Sequence, residues 1–157
     1  MKVNNILNRI IEDNQPFFLL EYDANLFGCE AFSQRIYELC IFQAMPDGFA
    51  GLEMDSKTFR TFIKKNHIPK RHQDGNDIIW AYDDRLKDVW HLWKEESKPY
   101  QKAIYILDRK RAKIGVCRDE ESIVQREQIM AELEKAREEL ERFNAAFMEK
   151  NNIKFYK

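Results

Sequence analysis

Residues Glu120 to Lys150 read EESIVQREQIMAELEKAREELERFNAAFMEK, one uninterrupted helical stretch. Ile129, Leu133, Ala136, Leu140, Phe143 and Phe147 recur at alternating steps of four and three, the spacing of a seam that packs against another helix. Glu132, Glu134, Lys135 and Arg137 around it are strong helix formers, and Glu138 precedes Arg142 by four residues in the favourable order. At about 1.5 Å per residue the element runs roughly 45 Å, longer than a domain of this size is wide. Its apolar stripe needs a cover, from the rest of the chain or from a second copy. Fewer than three heptads, with bulky Phe143 and Phe147 in them, suit an isolated two-stranded coil badly. The other helices must therefore lend support, yet the length of the element exceeds what a compact body of this size covers, so the expectation is a homodimer with twofold symmetry, with Leu133, Leu140 and Phe147 at or near the contact.

Working outward, Asp119 caps this helix and Gly115 stops whatever precedes it. Asp83 and Asp84 open a helix that runs to about Ser97. Ser97 with Pro99 then starts another, lined by Tyr100, Ala103, Ile104 and Leu107. A hairpin of 103–107 against 113–117 is the alternative there. Ile78 to Tyr82 reads as a short strand, and Ile68 to Asn76 as a polar, basic loop with an Asp74-Gly75 turn. Asp55 or Ser56 caps a helix that carries Phe59, Phe62 and Ile63 inward and ends near Asn66. Glu30 to Ala44 reads as a helix with Phe32, Ile36, Leu39, Cys40 and Gln43 on one side, stopped by Pro46-Asp47-Gly48. Asp23 to Gly28 is a turn, Phe17 to Tyr22 a strand, and the chain opens with an amphipathic helix ending before Asn14. These elements predict a mainly α fold, with α+β as the alternative. It comprises a compact body over residues 1–117 with one or two short strands, and a long C-terminal helix and tail over 118–157. Phe32, Phe59, Phe62, Trp90, Trp93 and Tyr105 form the expected core of what is overall a single domain.

The chain has 157 residues and a net charge of −1, but the charge is partitioned. Up to Ser56 there are 3 basic and 9 acidic residues; from Lys57 to Lys113 there are 15 and 8; from Ile114 onward there are 8 and 10. The basic middle third is either an internal complement to its acidic flanks or a surface aimed at an anion. Its cations fall in two clusters, Lys64, Lys65, Lys70 and Arg71 with His67 and His72 beside them, and Arg109, Lys110, Arg111 and Lys113. Cations at helix C-termini are explained by the macrodipole alone; brought together, the two clusters would make a footprint for nucleic acid. No stretch approaches 18 apolar residues, so a membrane span is not expected. Three widely spaced cysteines, Cys29, Cys40 and Cys117, suit buried free thiols in a reducing, cytoplasmic setting.

Motifs for catalysis are scarce. Asp84, Asp88, His91 and Glu95 share one stripe of a helix and can in principle hold a cation, but they lie opposite Leu86, Val89, Trp90 and Trp93, as a solvated face does. No C-x-x-C, G-x-S-x-G, Gly-rich phosphate loop or H-E-x-x-H is present. No catalytic, cofactor or metal residue is assigned and no cofactor is expected; an enzyme with a Cys–His pair or an acidic metal site ranks third among the readings.

Between Phe59 and Trp93, a phenylalanine-bearing helix (Phe59, Phe62) leads through a polar loop with Asp74-Gly75 to Trp80 or Tyr82, and then to Trp90-His91-Leu92-Trp93. This order resembles small accessory proteins of tailed bacteriophages and prophages that carry a W-x-x-W helix. The similarity covers about a fifth of the chain. It implies a phage-encoded binding protein acting on a host protein such as a defence factor, and it supplies no catalytic residues. The leading expectation is therefore a non-enzymatic protein-interaction protein whose partner is another protein, with a nucleic-acid-binding module built on residues 57–113 as the alternative.

Overall fold

The computed structural model describes residues 3–25, 33–116, 118–154 and 156. The element order is α1 (Val3–Glu12), β1 (Phe17–Asn25), β2 (Ser33–Phe42), β3 (Phe49–Met54), α2 (Ser56–Lys65), β4 (Lys70–Asp74), β5 (Asp77–Trp80), α3 (Asp84–Ile114) and α4 (Glu120–Lys150). The five strands form one sheet in the order β3-β2-β1-β5-β4, antiparallel at every junction. A mainly α fold with one or two short strands is thus corrected to α+β. The chain divides into two compact units: residues Met1–Trp90 with Ile153–Lys157, and His91–Asn152.

In the first unit, β1 lies at the centre, with Leu19 opposite both Leu39 of β2 and Trp80 of β5. Successive side chains leave opposite faces of a strand, so Leu19, Leu39, Ile41 and Met54 share one face. Ile6, Leu7 and Ile10 of α1, Phe59 and Phe62 of α2, and Tyr156 join them in a single buried cluster. Asp55 caps α2 through Thr58 N–H at 2.8 Å, which holds its carboxyl below the usual range. On the opposite face Phe18 meets Phe49 and Tyr82 at 5.3 and 5.2 Å between ring centroids, and Phe49 meets Trp90 at 6.1 Å. Gly48 closes the turn before β3 at φ +77°, and a Cβ there would stand 2.4 Å from the Trp90 ring. Only glycine meets both demands.

The expected helix over 30–44 is instead strand β2, with 30–32, and so Phe32, outside the described residues. Leu39, Cys40, Ile41 and Phe42 are all buried. A central strand covered on both faces loses the alternation that marks a strand, and Ile36, Leu39 and Cys40 then imitate helical spacing. β3 is a strand where no element was expected, and β4 stands where a loop was expected. The Asp74-Gly75 turn is real: Gly75 has φ +57° at the tip of the β4–β5 hairpin. Of the expected turn at 23–28, residues 23–25 belong to β1 instead, and 26–28 lie outside the described residues.

The second unit is a helical hairpin. α3 does not break at Ser97; it runs through Pro99 for 31 residues, so neither a new helix nor a hairpin starts there. Trp93, Ser97, Tyr100, Ile104, Leu107, Arg111 and Ile114 continue a step of four and three across the proline, and all are buried or half-buried. The seam of α4 does likewise. Tyr100 stacks on Phe143 at 4.8 Å, Trp93 Nε1 donates to Asn144 Oδ1 at 2.8 Å, and Asp108 lies 4.0 Å from Arg137. Of the expected core, Phe59, Phe62 and Trp93 are buried and Trp90 is half-buried, whereas Tyr105 is 60% exposed. It falls on the side of α3 away from the seam. No helix among the described residues is long and apolar enough to cross a membrane.

Candidate interaction surface

The two basic clusters belong to different units. Lys64 and Lys65 end α2, where the macrodipole favours them. After Asn66 the chain turns through His67 at φ +52° and buries Ile68. It then enters β4, whose five residues Lys70, Arg71, His72, Gln73 and Asp74 are all exposed. Among the described residues β4 is a sheet edge, paired with β5 alone and with a register shift between Lys70 and His72. Arg71 is anchored, donating to Tyr82 O and pairing with Asp84 Oδ1 at 3.4 Å, and Lys70 Nζ donates to Gln73 Oε1 at 3.0 Å. Among the described residues Lys64 and Lys65 carry no ion pair within 4.0 Å.

In the second cluster Arg109, Lys110 and Lys113 are exposed, while Arg111 is half-buried and paired with Asp108 at 3.2 Å. All six residues of the expected dimer seam, Ile129, Leu133, Ala136, Leu140, Phe143 and Phe147, are buried or half-buried within one chain. Of these, Phe143 stacks on Tyr100 of α3.

Residues with catalytic potential are placed as follows. Asp84, Asp88, His91 and Glu95 are exposed along α3, and no group of three or more metal-ligating side chains exists among the described residues. Cys40 is buried, and burial pushes its thiol up to about 12, which leaves almost no thiolate at neutral pH. Cys29 and Cys117 lie outside the described residues. Tyr22 donates to Glu38 Oε1 at 3.0 Å; burial and then that bond push its hydroxyl to about 12.

One charged cluster was missed in the sequence. Glu21, in the middle of β1, is 4% exposed. It accepts from Arg60 of α2 at 2.5 Å, from Trp80 Nε1 of β5 at 3.1 Å and from Arg35 Nε of β2 at 3.4 Å. The Arg60 guanidinium also lies 5.7 to 5.8 Å from the Tyr37, Phe59 and Trp80 ring centroids. A buried carboxylate must have such partners, and an acid set in the apolar run Phe17–Tyr22 was the available signal. The three donors tie three strands and a helix together, so the cluster is a clamp on the fold. Comparison with known protein families, characterised proteins and solved structures returns no match to this chain.

Proposed function

We propose that this protein is a non-enzymatic interaction protein of the cytoplasm that binds another protein through the basic surface of its first unit. The observation that carries this reading is β4, an edge strand with every residue exposed and Lys70, Arg71 and His72 upon it. Cations on an edge repel the like-charged edge of another copy. An acidic extended segment instead gains main-chain hydrogen bonds from the free edge and neutralises Lys70, Lys64 and Lys65. The buried thiol of Cys40 fits a reducing compartment. The likeness of Phe59–Trp93 to phage accessory proteins supports a host protein as the partner.

A second reading, nucleic-acid binding, is favoured by the exposed Arg109, Lys110 and Lys113 at the end of α3. The two separate by capture from a cell lysate with and without nuclease, using wild type and a Lys64→Glu/Lys65→Glu/Lys70→Glu variant. A nuclease-resistant partner held by wild type and lost by the variant supports protein binding. A nuclease-sensitive one, with affinity falling steeply in salt, supports nucleic acid. A nuclease-resistant partner that the variant retains refutes the role given to this surface.

A further inference from the structure

The second unit displays two charge stripes that its own seam does not use. On α3, Lys98, Lys102, Tyr105 and Arg109 are exposed at steps of four, three and four, with Arg109 lying 5.7 Å from the Tyr105 ring centroid. From Lys98 to Ile114 there are six cations and one acid. On α4, Glu127, Glu134, Glu138 and Glu141 are exposed, beside Met130 at 43% exposure. Lys98 has Glu95 at 4.0 Å, and Glu138 has Arg142 four residues on. But Lys98 and Lys102, like Glu134 and Glu138, are like charges one turn apart, which disfavours a helix, so each stripe gains from further opposite charge outside its own element.

We propose that a second copy of this chain packs on this face of the hairpin, giving a four-helix bundle about a twofold axis. Turned out from the seam at about 100° per residue, Lys98 and Tyr105 of α3 emerge on the same side as Met130, Glu134 and Glu141 of α4. It is the side on which Asp108 meets Arg137. Lys102 and Arg109 flank it. Within one hairpin Tyr100 is level with Phe143, which puts Lys102 level with Glu141 and Arg109 level with Glu134. A twofold axis parallel to the helices keeps every residue at its level while exchanging α3 for α4. Lys102 of one copy therefore meets Glu141 of the second copy, and Arg109 meets Glu134, each pair made twice. Tyr105 and Met130, both exposed in one chain, supply apolar area within this frame. The contact uses neither the seam Ile129–Phe147 nor the basic strand β4, so it stands independently of the partner-binding reading.

Sedimentation equilibrium of the full chain tests it, the monomer being 18.9 kDa. Wild type is expected to show twice that mass at roughly 100 µM, well above micromolar dissociation constants, and to dissociate as salt rises. Reversal of α3 (Lys98→Glu/Lys102→Glu/Arg109→Glu) or of α4 (Glu134→Lys/Glu138→Lys/Glu141→Lys) should each give a monomer with unchanged far-UV dichroism. Mixed in equal amounts, the two variants should pair, because each then presents to the other what it lacks for itself. A monomeric wild type overturns the proposal. So does a dimer that survives both reversals, or a mixture of variants that stays monomeric.

Discussion

Removing the Glu21 carboxylate tests the central clamp of the sheet. In Glu21→Gln the side chain keeps its shape but loses its charge, and its new amide N–H₂ faces the donors of Arg60, Arg35 and Trp80. Hydrogen bonds to a charged group are worth about 1.5–3 kcal/mol each, and stripping one partner from a buried pair costs roughly 3–5 kcal/mol. Those figures must be discounted. The Arg60 and Arg35 side chains are 49% and 27% exposed, so both guanidinium groups can turn to water, and such pairs are worth little. What stays uncompensated is the Trp80 indole N–H and the poorer acceptor. A loss of about 2 kcal/mol is therefore expected for Glu21→Gln, and about 3 kcal/mol for Glu21→Ala, which adds a cavity. Urea unfolding at neutral pH reads this as a fall in the midpoint at constant slope. Trp80→Phe alone should cost about 1 kcal/mol, and the double variant should fall short of additivity by more than about 0.5 kcal/mol. A Glu21→Gln variant within about 0.5 kcal/mol of wild type, or strict additivity with Trp80→Phe, refutes the clamp.

Three further outcomes follow from the same structure. The Tyr156 hydroxyl, at 2.8 Å, and then Lys154 hold the Asp13 carboxyl below its ordinary value; that stability is present above the unfolded pKa near 3.8 and lost as pH falls through the lower folded value. Tyr156→Phe should therefore flatten the acid limb of stability against pH, and an unchanged limb would contradict the contact. Cys40, buried with a thiol pushed up to about 12, should escape alkylation at pH 8 in the folded chain and react once urea unfolds it; peptide mapping by mass spectrometry separates it from Cys29 and Cys117. Leu133 is fully buried in the hairpin seam, so Leu133→Ala should cost about 3 kcal/mol, whereas Val124→Ala, at 61% exposure, should cost less than about 0.5 kcal/mol. Equal losses at the two positions would place the seam elsewhere.

Elements with a single buried side were legible in the sequence. In α1, α2 and α4 the apolar spacing and the caps Asp55 and Asp119 point the same way, and α2 and α4 run over the residues that spacing and caps indicate. β2 and β4 defeat the same reasoning from opposite ends. β2 is covered on both faces from Leu39 to Phe42, so buried Cys40 and Phe42 rather than polar residues alternate with Leu39 and Ile41 there. β4 is exposed on both, so KRHQD has no apolar residue to alternate. Each is a strand because of what it pairs with, and a strand's own residues carry no mark of its pairing partner. Pro99 misleads for a related reason: the seam spacing on either side of it outweighs one lost hydrogen bond.

The candidate surface shows the same division. Lys64, Lys65, Lys70 and Arg71 stand out as a run of charge, but only the edge strand turns that run into a surface with free main-chain groups. The stripes on α3 and α4 were within reach of the sequence, since Lys98 and Lys102, like Glu134 and Glu138, are four apart. One seam per helix accounts for neither stripe. A helix whose seam is satisfied inside its own chain still has an outer side. There an exposed tyrosine among cations, level with exposed glutamates on the neighbouring helix, is a pattern the seam does not account for. A folded hairpin can display it only after α3 and α4 have spent their apolar seams on each other. For that reason the charge-reversed pair, in which neither variant can associate with itself, distinguishes the outer face from the seam more sharply than any change within the seam.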